Sequence, residues 1–406
     1  MITMSSATSS SNSHADSRFR LPLSALLALA FAGFLTLLTE TIPAGMLTQI
    51  STGLAVSEAF AGQFVTLYAI GTVLTAIPLI SMTRAWPRRH LLLAALTGLL
   101  LFNSITALTS NYELALVSRF FAGVAGGVMW GMLAGYARRM VPEHLKGRAL
   151  AIAGLGSPLA LSLGVPLGAW LSQSIGWRFT FAAISLLTII AIVWVLWRLP
   201  NYAGQSTQDK PVSIAMVLAN PSLRMVFYVL ILWILAHNIL YTYIVPYLSP
   251  MGLAAQADVV LLIFGVASIA GVWLSGIFID RMLGRLVFLN LLLFAIAMLC
   301  FATLQAQPML ILIAVAIWGL SLGAAPVLLQ TACAEAAGAH ADVAQSMLVT
   351  VWNLALAVGG IVGGVLLQKV GAYSFPWAML GLLALALVLV QLSKHYAFIK
   401  AVNATD

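Results

Sequence analysis

Two charged residues stand inside long apolar stretches of this chain. Glu40 lies near the far end of the first stretch and Arg119 near the start of the fourth. If the chain first crosses a bilayer from the inside outwards, both fall in its outer third. A charge in hydrocarbon costs roughly 2.5–3.5 kcal/mol on insertion scales, so an intramembrane ionisable residue reads as functional by default. A carboxyl can load and release a proton, whereas a guanidinium keeps its own and needs a carboxylate, backbone carbonyls or an anionic ligand beside it. Burial and a neighbouring guanidinium act on a carboxyl's proton affinity in opposite senses. Moving Arg119 against Glu40, or admitting a solute between them, is therefore a way to take up and discharge a proton. The bland alternatives are a Glu40 solvated at the membrane surface and a static pair that locks two helices.

A solute needs further contacts, and these are sought among polar and aromatic groups at mid-span. Gln63, Tyr68 and Trp130 supply them in the first half of the chain, and His237, Asn238, Tyr241 and Asn353 in the second. Asn103, Trp233, Tyr243, Gln330 and Trp352 form a wider set. His237 and Tyr241 share one helix face at i, i+4, although a lone histidine is more often structural than a proton carrier. The two asparagines are stronger ligand candidates, because a buried amide needs partners. Cys300 and Cys333 read as small hydrophobes. With no catalytic triad, HExxH, phosphate loop or Cys/His cluster, the reading includes no enzyme activity, no cofactor and no metal site.

The elements that must hold these groups follow from composition. The chain has 406 residues, 62% hydrophobic and 7% charged, against about 25% charged in a soluble domain. Such a chain faces lipid. Twelve apolar stretches of spanning length occur near 21–46, 59–81, 89–109, 113–136, 147–172, 178–199, 223–248, 258–280, 286–305, 308–331, 343–367 and 373–393. Each is far longer than the 9–11 residues of a barrel strand, which makes them helices. Sixteen Lys and Arg fall on one side of these spans and only Arg178 and Lys369 on the other. The positive-inside rule therefore places both termini in the cytoplasm, and the net charge of +8 does not imply a nucleic-acid partner. The longest connection divides twelve helices into six plus six. The expected layout is a disordered tail at 1–20, a six-helix bundle at 21–199, a linker at 200–222 with a possible interfacial helix at 213–219, a second bundle at 223–394 and a tail at 395–406.

Glycine and proline add packing and gating signals. The fourth span continues as Arg119-Phe120-Phe121-Ala122-Gly123, and the fifth carries Gly164-Val165-Pro166-Leu167-Gly168. Gly176-Trp177-Arg178 follows, with Trp177 and Arg178 read as outer-interface anchors. The loop after the eighth span holds Asp280-Arg281 and Gly284-Arg285, and the loop after the second holds Arg84, Arg88 and Arg89.

Twelve spans in two halves, Arg119-x-x-x-Gly123, the Gly164-to-Gly168 run and Asp280-Arg281 together resemble the major facilitator superfamily over nearly the whole chain. The match is most similar to its twelve-helix drug:proton antiporter branch, in particular the arabinose and sugar-efflux members, through Thr39-Glu40, Gly62-Gln63, Tyr68-Ala69-Ile70-Gly71 and Gly176-Trp177-Arg178. The resemblance implies two pseudo-symmetric six-helix bundles. It implies proton coupling at Arg119, an antiporter motif at Gly164, Pro166 and Gly168, and a gating motif at Asp280 and Arg281. The first copy of that gating motif, around Arg84, lacks its glycine and aspartate. The expectation is a proton-coupled exporter of a small neutral or amphipathic, sugar-like solute, working as a monomer in the cell inner membrane with protons and lipid as its other partners. A multidrug:proton antiporter, an uncoupled uniporter and a non-transporting membrane sensor are the alternatives.

Overall fold

In hydrocarbon, backbone N–H and C=O groups must be satisfied within the chain, and a continuous apolar run does this as a helix. The computed structural model describes residues 21–76, 79, 82–83, 85–142, 145–204, 219–338 and 341–392, and all of its regular structure is helical. The first half comprises α1 (Leu23–Thr41), α2 (Leu47–Leu54), α3 (Glu58–Ala76), α4 (Arg88–Leu108), α5 (Tyr112–Arg139), α6 (Lys146–Gly154), α7 (Gly156–Leu159), α8 (Val165–Ile175) and α9 (Trp177–Arg198). The second comprises α10 (Pro221–Thr242), α11 (Ile244–Leu248), α12 (Ala257–Thr303), α13 (Pro308–Ala337), α14 (Ala341–Lys369) and α15 (Phe375–Leu392). Eleven segments among the described residues are long and apolar enough to cross a membrane, and α3 carries the remaining expected span. Large apolar side chains such as Trp170, Leu186, Trp197 and Trp273 stand exposed, as lipid-facing groups must. Hydroxyls within the spans bond back to the preceding turn. Thr36 donates to the Ala32 carbonyl at 2.8 Å and Thr188 to the Ile184 carbonyl at 2.7 Å.

The described helices group into two halves, the arrangement the resemblance leads one to expect. Within the first, α3 packs on α5, α4 lies against α5 and α9, and α1 against α9. Within the second, α12 packs on α13 and α15, and α10 on α14 and α15. The halves meet where α3 packs on α14, and where α8 and the turn before it pack on α12.

A duplication that sequence identity does not display is written in the packing. In the first half Thr72 Oγ1 donates to the carbonyls of Tyr68 and Gly123, both at 3.1 Å. In the second, Ser268 Oγ donates to Phe264 at 2.8 Å and Gly319 at 3.0 Å. A Cβ on Gly123 would strike the Tyr68 backbone and one on Gly127 the Thr72 backbone; Gly319 and Gly323 face Phe264 and Ser268 in the same way. One constant offset along the chain relates all four pairs.

Three local features differ from expectation. The fifth span is broken by a π-helical segment, Ala160–Gly164, just before Pro166. Proline cannot donate to the carbonyl one turn back, and a wider turn there absorbs the mismatch. The connection after the eighth span is not an open loop. α12 runs through it and bends at Met282 alone, where φ is −143° and ψ is 32°. Trp177 is buried against Phe64 and Phe181 and is not an interface anchor. Arg178 stacks on its ring at 4.3 Å and donates to the Thr109 carbonyl at 3.0 Å.

The linker begins tied to the first half. The Arg88 N–H donates to the Tyr202 carbonyl at 2.8 Å. Arg89 Nη1 donates to Leu199 at 3.3 Å, Tyr136 Oη to Pro200 at 2.6 Å and Arg139 Nη1 to Ala203 at 2.9 Å. The expected tails, Arg84 and the expected interfacial helix up to residue 218 lie outside the described residues.

Candidate functional site

Glu40 sits one residue before the end of α1, where the chain tightens into a 3₁₀ turn, Ile42–Met46. It is buried, with 3% of its surface exposed, and Arg119 on α5 is fully buried at 0%. A solvated Glu40 is thereby ruled out for this conformation.

Arg119 is held by three elements. Its Nη2 donates to the Thr39 carbonyl at 2.6 Å and its Nε to the Phe64 carbonyl at 3.2 Å. The guanidinium lies between the rings of Tyr68 and Phe181, 4.9 and 5.5 Å from their centroids, as a cation–π sandwich. Its Nη1 has no hydrogen-bond partner. The residue before Glu40 is therefore gripped from two sides, because Asn103 Nδ2 on α4 also donates to Thr39 Oγ1 at 3.0 Å. Tyr68 Oη donates to the Thr36 carbonyl at 3.2 Å, and a Cβ on Gly126 would occupy the place of that hydroxyl. The Trp130 side chain lies beside the Glu40 carboxyl.

The expected couple is thus assembled, with one correction. Among the described residues, no direct ion pair joins Glu40 and Arg119; the guanidinium spends its bonds on backbone carbonyls. Both charges nevertheless lie in one buried cluster, since the guanidinium bonds the carbonyl of the residue that precedes Glu40.

The other predicted residues divide. Tyr68 and Trp130 belong to the charged cluster. Tyr241 approaches it from the second half, beside Thr41. His237 packs among Tyr241, Phe264 and Trp318, with centroids 5.0, 5.8 and 5.4 Å away, and its Nδ1 is unpartnered. Asn238 Nδ2 donates to the Leu356 carbonyl at 2.6 Å, tying α10 to α14. Asn353 Nδ2 bonds back to Val349 at 2.9 Å, leaving its Oδ1 unpartnered. Gln63 Nε2 donates to Ala59 at 3.3 Å. Gly164 and Gly168 lie against Phe34 and Ile42, so the antiporter-like run fits closely on the Glu40 end of the first span. Asp280 continues the helical backbone of α12 and Arg281 is exposed beside the Met282 bend. The contacts of Thr39, Phe64 and Phe181 were not foreseen, since two of them act through main-chain carbonyls that any residue type provides.

Residues 29–355 match the Major Facilitator Superfamily. The chain belongs to this family. Among curated relatives of this superfamily member, a Pseudomonas aeruginosa protein named "Transcription regulatory protein OpdE" is 30% identical over 379 residues, covering 91% of this chain and 93% of its own. A "Probable sugar efflux transporter" from Mannheimia succiniciproducens is 29% identical, covering 85% and 87%, and one from Helicobacter pylori 26%, covering 88% and 92%. The crystal structure of a D-xylose-proton symporter shares the fold, with TM-score 0.75 at 15% identity, covering 93% of this chain and 98% of that one. The superfamily member is a multi-span membrane transporter with small-molecule substrates.

Proposed function

We propose that this protein is a proton-coupled exporter of a small neutral, sugar-like solute, working by alternating access as a monomer in the cell inner membrane. In this reading both termini are cytoplasmic, and the side of the molecule away from the linker faces outwards. The observation that carries it is the burial of one carboxyl and one guanidinium in a shared cluster without a direct ion pair among the described residues. Their attraction is adjustable, since the guanidinium is anchored by carbonyls whether or not the acid is charged. Protonation of Glu40 from outside removes that attraction and biases the rocking of the halves. No second buried charge among the described residues is available to bind a strongly charged ligand, which favours a neutral solute. Two relatives named as sugar efflux transporters support the sugar-like class. Gly164, Pro166, Gly168, Asp280, Arg281 and Arg84 are assigned to gating, and Gln63, His237, Asn238, Tyr241 and Asn353 to solute contact.

The test is a sugar panel offered to inverted vesicles under an imposed pH gradient, with proton movement recorded. Solute-dependent proton movement by the parent, lost in Glu40→Gln while solute exchange persists, is the expected result. Undiminished gradient-driven transport by that variant removes Glu40 as the carrier. A panel that drives no flux in any variant favours the regulatory reading invited by the name of the Pseudomonas relative.

A further inference from the structure

Glycines near the ends of the interface helices away from the linker have no room for a methyl group: Gly62 is filled by Tyr243, Gly265 by the Leu161–Ser162 backbone and Gly360 by Thr66. Gly135, Gly154 and Gly276, near the linker ends of their helices, have nothing within 4 Å of a Cβ. The halves are in close contact on the side away from the linker, and Tyr243 takes part in that contact.

Tyr243 is the residue at which α10 gives way to α11, with φ −112° and ψ 31°. Its side chain is 0% exposed. The ring fills a notch whose walls are Gly62 on α3 and Gly363 and Gly364 on α14: a Cβ on Gly363 would stand 2.8 Å from the ring, and one on Gly364 2.7 Å from the hydroxyl. The hydroxyl lies 3.3 Å from the Ala59 carbonyl in the first half and 3.0 Å from the Gly360 carbonyl in the second. A phenol has one proton to donate, so the two carbonyls, one in each half, share a single donor. Such a bond is exchanged, not broken outright, when the halves part: Tyr243 keeps Gly360 and releases Ala59. The Gln63 amide lies beside the same hydroxyl in the first half. On the other seam, Gly45 meets only Ala169 and Leu261, apolar contact without a donor.

We infer that Tyr243 is the latch of the gate away from the linker, with Gly62, Gly363 and Gly364 as its keeper. This rests on the alternating-access reading above. The experiment places spin labels at Ser57→Cys, ahead of α3, and Lys369→Cys, at the end of α14, with Cys300 and Cys333 replaced by alanine, and measures the distance distribution by pulsed electron resonance. The parent is expected to give a short-distance population. Tyr243→Phe keeps the ring and loses the donor, and a longer-distance population should rise several-fold. Gly364→Val, which expels the ring, should make it dominant. Distributions for both variants that superpose on the parent's overturn the latch. Should Gly364→Val fail to elute as a folded species, the near-isosteric Tyr243→Phe decides alone. If the parent distribution responds to neither pH nor the sugar panel while Tyr243→Phe still lengthens it, the latch stands and the alternating-access reading falls.

Discussion

Glu40 and Arg119 are held apart by the bonds that Arg119 makes elsewhere, so their coupling should be electrostatic and measurable. Consider Glu40→Gln, Arg119→Met and the double variant, unfolded reversibly in mixed micelles in alkaline buffer so that the acid is ionised. Arg119→Met forfeits the bonds to Thr39 and Phe64. At about 1.5–3 kcal/mol for each bond from a charged donor, the single change costs about 3–6 kcal/mol before any effect on Glu40. It also strands a buried carboxylate. With an effective dielectric of about 20, two unit charges attract by about 4 kcal/mol at 4 Å and about 3 kcal/mol at 6 Å. The double variant should therefore be less destabilised than the two singles together, by about 2–4 kcal/mol. Additivity within about 0.5 kcal/mol, the ordinary result for independent sites, would show that the two charges do not sense each other and would refute the coupling on which the transport mechanism depends.

Other outcomes follow from the packing. Gly123→Leu and its repeat counterpart Gly319→Leu should both lower the yield of folded protein on size exclusion, while Gly135→Ala, in open space, should match the parent; equal yields for all three would contradict the shared-seat reading. Trp177→Ala should cost about 3–5 kcal/mol of unfolding free energy, as a truncated core aromatic does, and a cost below about 1 kcal/mol would restore the interface-anchor role. Asn220 caps α10 by accepting from the Ser222 N–H at 2.9 Å and also donates to Ala336 at 2.8 Å; Asn220→Ala should cost about 1–2 kcal/mol in the same assay. Trp130→Phe removes the indole N–H beside the Glu40 carboxyl and should reduce gradient-driven flux more than solute exchange; an equal loss of both would make Trp130 a solute contact instead.

The helices were legible because length and apolarity suffice to name a span, and Glu40 and Arg119 because a charge among so many apolar neighbours must have a reason. What the sequence did not carry is direction. Nothing in the string says that Arg119 turns to carbonyls of Thr39 and Phe64 and not to Glu40, since main-chain acceptors leave no mark in residue type. Trp177 looked like an interface group because Trp-Arg pairs favour membrane surfaces; only the chain's return past Phe64 buries it. Asn238 and Asn353 were rightly expected to seek partners, yet Asn238 found a helix neighbour and Asn353 its own backbone. The repeat was invisible as identity because its seats are made by glycines, hydroxyls and carbonyls, and Thr72 and Ser268 fill one role with different letters.

The bonds that fasten Leu199, Pro200, Tyr202 and Ala203 to the first bundle give the tether between the bundles an unequal anchorage. If one bundle swings against the other as proposed, the stretch up to Ala203 travels as cargo of the first. Cutting these bonds would lengthen the loose part of that tether and leave every contact of Glu40 and Arg119 described above in place.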